Sequence, residues 1–458
     1  MPGTGPGPTP AVVPVHPEAE MTTSQDQTLT GYTVLENGRL LRRYAYIERV
    51  SLRILAAWLP EIEQWEIKKA VGRHLWDEAQ HADRLYQRLR ELRGGHPTAN
   101  AEAGVAYLMQ EALHAPSAAA LIAGLYLTIK RRLLDTYRRH IERASYVVDA
   151  PTVDGLEQIV ADEARHLAWA ENALPELSKY ADQAEVEGWS AYLARLLETL
   201  GDLNGLTPIP SMTFPERPDS YRPFKRSGQA RRDERFTLVH ISEIIRPLEE
   251  LEALPLRENE IAAFRIYFTE MWAAELVASV IVDAEDMPWE FYHDLARHAW
   301  DEIRHCDMGE QRLKELGIGI SDYPTSASEY DRRVRMPWLH RYCDLTMLGE
   351  ARYIHVRPPR VRRYLREGAL RSAELADYDW SDEIQHVAFG TKWLRYVLRD
   401  DARSLEDLIE ECEALRVQMA EESPEFRLPP HKQARPHANR ATASRFSADG
   451  LPGQGGAS

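Results

Sequence analysis

The sequence predicts an all-α protein of two tandem four-helix bundles, and three observations predict it. First, Asp-Glu-x-x-His occurs four times: Asp77-Glu78-Ala79-Gln80-His81, Asp162-Glu163-Ala164-Arg165-His166, Asp301-Glu302-Ile303-Arg304-His305 and Asp382-Glu383-Ile384-Gln385-His386. Second, the segments around these motifs carry helical patterning, and no convincing run of alternating strand pattern appears. Third, the halves repeat one another: Arg73–His81 matches Arg297–His305 at six of nine positions. Self-similarity at long range implies a duplicated unit.

Taken in order, residues 1–30 are rich in Pro, Gly and Thr and are expected to be a disordered tail. A helix pattern begins near Leu40, within a first bundle spanning 31–205. Residues 206–235 hold Pro208, Pro210, Pro215, Pro218 and Pro223 among polar residues, the composition of a linker. Helical patterning resumes near Phe236 and runs to about Glu421, giving a second bundle over 236–422. The end, 423–458, again reads as a disordered tail. At 458 residues the chain exceeds what one hydrophobic core usually organises, which agrees with two units.

Composition narrows the function class. No stretch approaches the roughly 18 apolar residues of a membrane span, so no membrane role is expected. The N-terminus lacks the basic start and apolar run of a signal peptide. Cys306, Cys343 and Cys412 are too few and too scattered for a disulfide framework. A reducing, cytoplasmic setting follows. The net charge of −16 argues against a nucleic-acid partner. The stretch His431–Arg445, with Lys432, Arg435, Arg440 and Arg445 and no acid, is the exception, and reads as a solvated tail.

The motif carries the chemistry. Residues three apart share a helical face, so each copy points a carboxylate and an imidazole the same way. Two such helices facing each other can hold a pair of metal ions. Carboxylates neutralise two divalent ions, and imidazole adds a neutral nitrogen to each. That donor mixture suits iron or manganese, which use the same ligands. The aspartates Asp77, Asp162, Asp301 and Asp382 are placed to accept the N–H of the histidine on the opposite helix. Glu-x-x-His without the preceding Asp (Glu111 to His114, Glu290 to His293) shows the background rate.

A complete site needs one further Glu from each of two more helices. In the second half Glu270 lies 32 residues before Glu302, and Glu350 lies 33 before Glu383. Glu275 competes with Glu270 but faces another way. In the first half Glu48 lies 30 residues before Glu78. Its counterpart to Glu350 is missing. Counting back 33 residues from Glu163 reaches Lys130; matching Leu127-Thr128-Ile129 to Leu345-Thr346-Met347 puts Arg132 there; the nearest acid is Asp135. The first bundle is thus expected to hold an altered site, one metal, or none.

Other features have plainer readings. His74 and His298 precede their glutamates by four residues and share that face; they read either as a third histidine ligand or, as expected here, as histidines that support the ligands or pack behind them. Trp76 and Trp300 are expected in the core, and Cys306 as an inert buried thiol. Arg357-Pro358-Pro359-Arg360 reads as a helix break with a charged surface. A metal-free polar core remains the alternative for either half, at the cost of burying many ionisable groups.

These residues resemble the ferritin-like superfamily over roughly 40–200 and 236–420. The second half, with Glu350-Ala351-Arg352 and the run 382–390, looks like a branch standing near tRNA hydroxylases. The resemblance implies Glu270, Glu302, His305, Glu350, Glu383 and His386 as ligands. For the first half it implies Glu48, Glu78, His81, Glu163 and His166, with no catalytic group beyond the ligands. The expected function is a di-iron, O2-dependent oxidase or oxygenase of a small organic molecule. An external electron donor and a homodimer both fit this reading. The alternatives are metal binding or a manganese catalase-like role, and a tRNA-modifying hydroxylase.

Overall fold

The computed structural model describes residues 31–93, 102–201, 203 and 213–426. The N-terminal segment 1–30, the start of the Pro-rich linker and the basic stretch His431–Arg445 lie outside the described residues. Within them the protein is all-α; the one pairing of extended backbone is an isolated bridge between Leu238 and Thr325. No helix among them is long and apolar enough to cross a membrane.

The first half runs α1 (Val34–Trp58), α2 (Trp65–Glu91), α3 (Ala103–Ala112), α4 (Ala118–Leu121), a π-helix πA (Ile122–Lys130), α5 (Arg131–Arg143), α6 (Tyr146–Ser178) and α7 (Gln183–Thr199). The second half runs α8 (Leu248–Ala253), α9 (Leu256–Thr269), α10 (Met271–Asp283), α11 (Trp289–Glu315), α12 (Ser328–Arg333), α13 (Trp338–Cys343), a π-helix πB (Asp344–Glu350), α14 (Ala351–Tyr353), α15 (Arg357–Arg366), α16 (Leu370–Leu398) and α17 (Leu405–Glu422).

Local chemistry sets the ends. Helix α1 begins at Val34, earlier than Leu40, because Thr33 and Glu36 form a reciprocal capping box. The second half becomes helical later than Phe236. Residues up to Pro247 form extended backbone and a short 3-10 turn, and Pro247 and Pro255 stand at the N-caps of α8 and α9. Proline suits those positions because it fixes φ and lacks an N–H. The described part of the linker is a strap rather than a free tether. Arg217 pairs with Glu111 at 2.6 Å, Arg226 with Asp283 at 2.7 Å, and Arg232 grips both oxygens of the buried Glu275 at 2.7 Å.

The halves meet chiefly where α2 packs on α11, and one hydrophobic core runs through both. The contacts there come in matching pairs. Arg73 lies over the Trp300 ring at 5.0 Å, and Arg297 over Trp76 at 5.8 Å. Trp65 Nε1 donates to Glu310 at 2.9 Å, and Trp289 Nε1 to Asp83 at 3.0 Å. The two tryptophans of the motif segments therefore serve the contact between halves. Glycines permit close approach: a Cβ on Gly72 would stand 2.8 Å from Ile303 Cγ1.

Gly309 is the tightest case against backbone. A Cβ there would meet the Phe268 nitrogen of α9 and lie 2.7 Å from the Phe264 carbonyl oxygen. Gly309→Ala is expected to cost about 1–3 kcal/mol or more, because backbone cannot swing aside as a side chain can. Gly228→Ala, where nothing lies within 4 Å, is the control. Equal denaturant midpoints for the two variants would contradict this packing.

Candidate metal centre

Each half brings its motif pair together on facing helices. In the second, Glu302 and His305 come from α11, Glu383 and His386 from α16, Glu350 from the last residue of πB, and Glu270 from the joint between α9 and α10. In the first, Glu78 and His81 come from α2, Glu163 and His166 from α6, and Glu48 from α1.

The aspartates hold the histidines crosswise. Asp162 lies 3.3 Å from His81 Nε2, Asp77 3.1 Å from His166 Nε2, Asp382 3.4 Å from His305 Nε2, and Asp301 3.5 Å from His386 Nε2. In all four histidines Nδ1 faces inward and has no hydrogen-bond partner. Buried ring nitrogens are normally satisfied; these four face carboxylates without a hydrogen bond, an arrangement that could serve a metal ion.

In the second half the donors form overlapping groups that can hold metal ions: His298, Glu302, Glu350 and His386; Glu270, Glu302 and His305; and His305, Asp379 and Glu383. Glu302 joins the first two. Its Oε1 lies 3.3 Å from His386 Nδ1, and its Oε2 lies 3.6 Å from His305 Nδ1. One carboxylate thus addresses two neighbouring positions. Oxygens of Glu270, Glu302, Glu350 and Glu383 are buried without hydrogen-bond partners. Burial pushes Glu270 up to about 7 despite His305 beside it, and pushes Glu383 well above the carboxylate range. Burial would depress the imidazoles, yet Glu350 and Glu302 hold His298 up at about 9. Asp301 and Glu302 likewise hold His386 up at about 8, against both burial and the neighbouring His298. Protons thus gather where this donor set wants positive charge, and metal binding would release them. The residues fit a metal ion.

Three residues differ from their expected places. His298 joins the donors themselves: its Nε2 lies 3.1 Å from Glu350 Oε1 and 3.4 Å from Glu302 Oε1. Asp379 was not anticipated; it stands four residues before Glu383, on the same helical face, and that spacing was the available signal. Arg357 is no surface charge. Its Nε donates to Asp379 at 3.0 Å and its Nη2 pairs with Glu383 at 2.6 Å. Glu275 stays apart, paired with Lys68 and Arg232.

The first half has a cation built in. Lys130, fully buried at the end of πA, puts Nζ 3.0 Å from Glu48 Oε2, 2.6 Å from Glu78 Oε1, and against Glu163. Arg132 and Asp135 are exposed and take no part. The 33-residue interval, rather than the matched tripeptide, identifies the position. Burial would discharge the ammonium, but three carboxylates hold its pKa well above the usual lysine value. Despite burial, Lys130 keeps Glu48 and Glu163 below the ordinary value, while His81 is raised by Asp162, Glu163 and Glu48. Tyr137 donates to Glu48 at 2.5 Å. His74 meets Tyr126 at 3.0 Å rather than a carboxylate, and burial keeps it neutral. Glu48, Glu78, His81 and Glu163 retain a spacing that can hold an ion, but the ammonium already sits among those glutamates.

A cavity of about 190 Å³ reaches Glu270, Glu302, Glu350 and Glu383 between mostly apolar walls. Comparison with curated proteins and with solved structures found no match. The family model described as "Protein of unknown function (DUF455)" matches residues 211–443, just over half of the chain and the whole of this donor set, and the chain belongs to that family.

Proposed function

We propose that the second half holds a carboxylate-bridged dimetal centre, di-iron in the first instance, in a ferritin-like bundle. On this reading the protein is an O2-dependent oxidase or oxygenase of a small organic molecule. The observation that carries it is Glu302, whose two oxygens face two histidine–carboxylate groups beside an apolar cavity. Iron bound there would supply the electrons for reducing O2. The chain's own residues do the rest. Asp301 and Asp382 orient His386 and His305. Arg357 pins Glu383 and Asp379, leaving Glu383 Oε2 directed inward. Ile266, Trp272 and Leu345 keep water away and leave room for substrate. An external donor would return the centre to its reduced state.

The first half, on this reading, is a duplicated bundle whose metal has been replaced by Lys130, and it serves as the partner surface for α11. The cavity favours an organic substrate over peroxide disposal, which needs no apolar chamber. Anaerobic Fe(II)-loaded protein mixed with O2 is expected to show an oxygen-dependent absorbance change within the stopped-flow window. Its absence, with and without candidate substrates, would overturn the proposal. Oxygen release from peroxide by the manganese-loaded protein would favour the catalase-like reading instead.

A further inference from the structure

Resting on that dimetal reading, we propose that the cavity takes an amphipathic organic anion. Its apolar part lies against the metal ligands, and its carboxylate or phosphate sits on Arg360 and the arginine face of α15.

The ligand carboxylates line the cavity together with Ile266, Trp272, Leu345 and Val356. Arg360 also lines it. That side chain is half-buried, and it makes no hydrogen bond or ion pair among the described residues. Its neighbour one helical turn earlier, Arg357, is already committed to Asp379 and Glu383. Burial opposes its charge, yet Tyr267, Tyr364 and Asp379 hold Arg360 in the charged form without bonding to it, so its donors are open to an anion that enters the cavity.

A second, outer cavity of about 450 Å³ shares Leu248, Leu251, Val356 and Arg360 with the first. Arg362, Arg363 and Arg366 line it. Arg363 is used by Glu367 and by the carbonyls of Glu252 and Leu254. Arg362 has no ion pair among the described residues, and Arg366 stands 3.8 Å from Glu367. This helix is strongly cationic in a chain of net charge −16, so the patch opposes the overall field and selects anions locally. Arginine suits the planar or tetrahedral oxygens of carboxylate and phosphate. Together the chambers reach the usual size of a small-molecule site. Their order, arginine outside and carboxylate ligands inside, sets which end of the molecule meets the metals.

Calorimetric titration of the full chain with decanoate, decyl phosphate and decanol tests this, in metal-free and Fe(II)-loaded samples under anaerobic conditions. At least one of the anions is expected to bind about tenfold or more tightly than decanol, with the better of the two identifying the head group. Arg360→Gln should remove that advantage with metal content unchanged, and Ile266→Trp should block all three probes. The anion's preference should persist in the metal-free chain. Equal binding of decanol, anion binding insensitive to Arg360→Gln, or binding that disappears with the metal would overturn the assignment. Binding of total tRNA that is lost in Arg362→Gln, with no binding of either anion, would overturn it in favour of RNA. Metal content of the same samples separates the two ideas: selective anion binding by a chain that takes up no metal refutes only the dimetal reading.

Discussion

Protein purified anaerobically and loaded with Fe(II) or Mn(II) is expected to carry about two metal ions per chain, and His386→Ala should lose them while His166→Ala keeps them. The asymmetry follows from charge. In the second half Arg357 pairs with Asp379 and Glu383, but among the described residues no lysine or arginine pairs with Glu270, Glu302 or Glu350. In the first half the Lys130 ammonium already touches three carboxylates. Losing His386 removes a nitrogen donor from the group of His298, Glu302, Glu350 and His386. It also frees Asp301 from the ring it faces, so the loss should exceed that of a single contact. Elemental analysis decides the matter. About four ions per chain, falling by half in His166→Ala, would show that Lys130 yields to metal.

Replacing Lys130 is expected to have the largest effect on stability. Lys130→Met leaves Glu48, Glu78 and Glu163 buried around a neutral side chain. Breaking a buried ion network by removing one partner costs about 3–5 kcal/mol. The pH dependence has a definite sign. In the wild type Glu48 is held well below the ordinary carboxylate value, so its contribution is present above that value and fades in acid. In the variant Glu48 and Glu163 should be raised, as burial and its two glutamate neighbours already raise Glu78, so the deficit is greatest at neutral pH and shrinks as the pH falls toward about 4.5. Chemical denaturation at several pH values measures this. Lys130→Glu supplies the carboxylate that the first half lacks, and metal content should rise toward about four ions per chain, with stability recovered only when metal is present. A metal content unchanged by Lys130→Glu would mean that the first half has lost more than one ligand's worth of geometry.

Much of the site was legible in the sequence because helical periodicity is local. The three-residue step from Glu302 to His305 and from Glu383 to His386 places both donors on one face whatever the rest of the chain does. The aspartate before each glutamate was legible for the same reason, and so was the gap in the first half. The tripeptide match failed because a short apolar run fixes no register, whereas Lys130 and Glu350 each close a π-helix, Ile122–Lys130 and Asp344–Glu350. A widened turn shifts which residue faces inward, and short apolar runs carry no record of it. His298 joins the donors only because Glu350 comes within 3.1 Å of it; in the first half Lys130 stands there, and His74 turns to Tyr126. Arg357 was misread because its two prolines signal a helix start equally well on a surface or against a buried carboxylate.

By itself, then, the sequence determined the all-α class, the two-fold repetition and the metal-type donors, since each rests on residue types at short spacing. Tertiary structure alone decided that Lys130 fills the first centre, that Glu302 spans two donor groups, and that Arg360 faces an apolar chamber. Those facts depend on distances between segments far apart in the chain, and such distances are set by how helices pack, which no local spacing encodes.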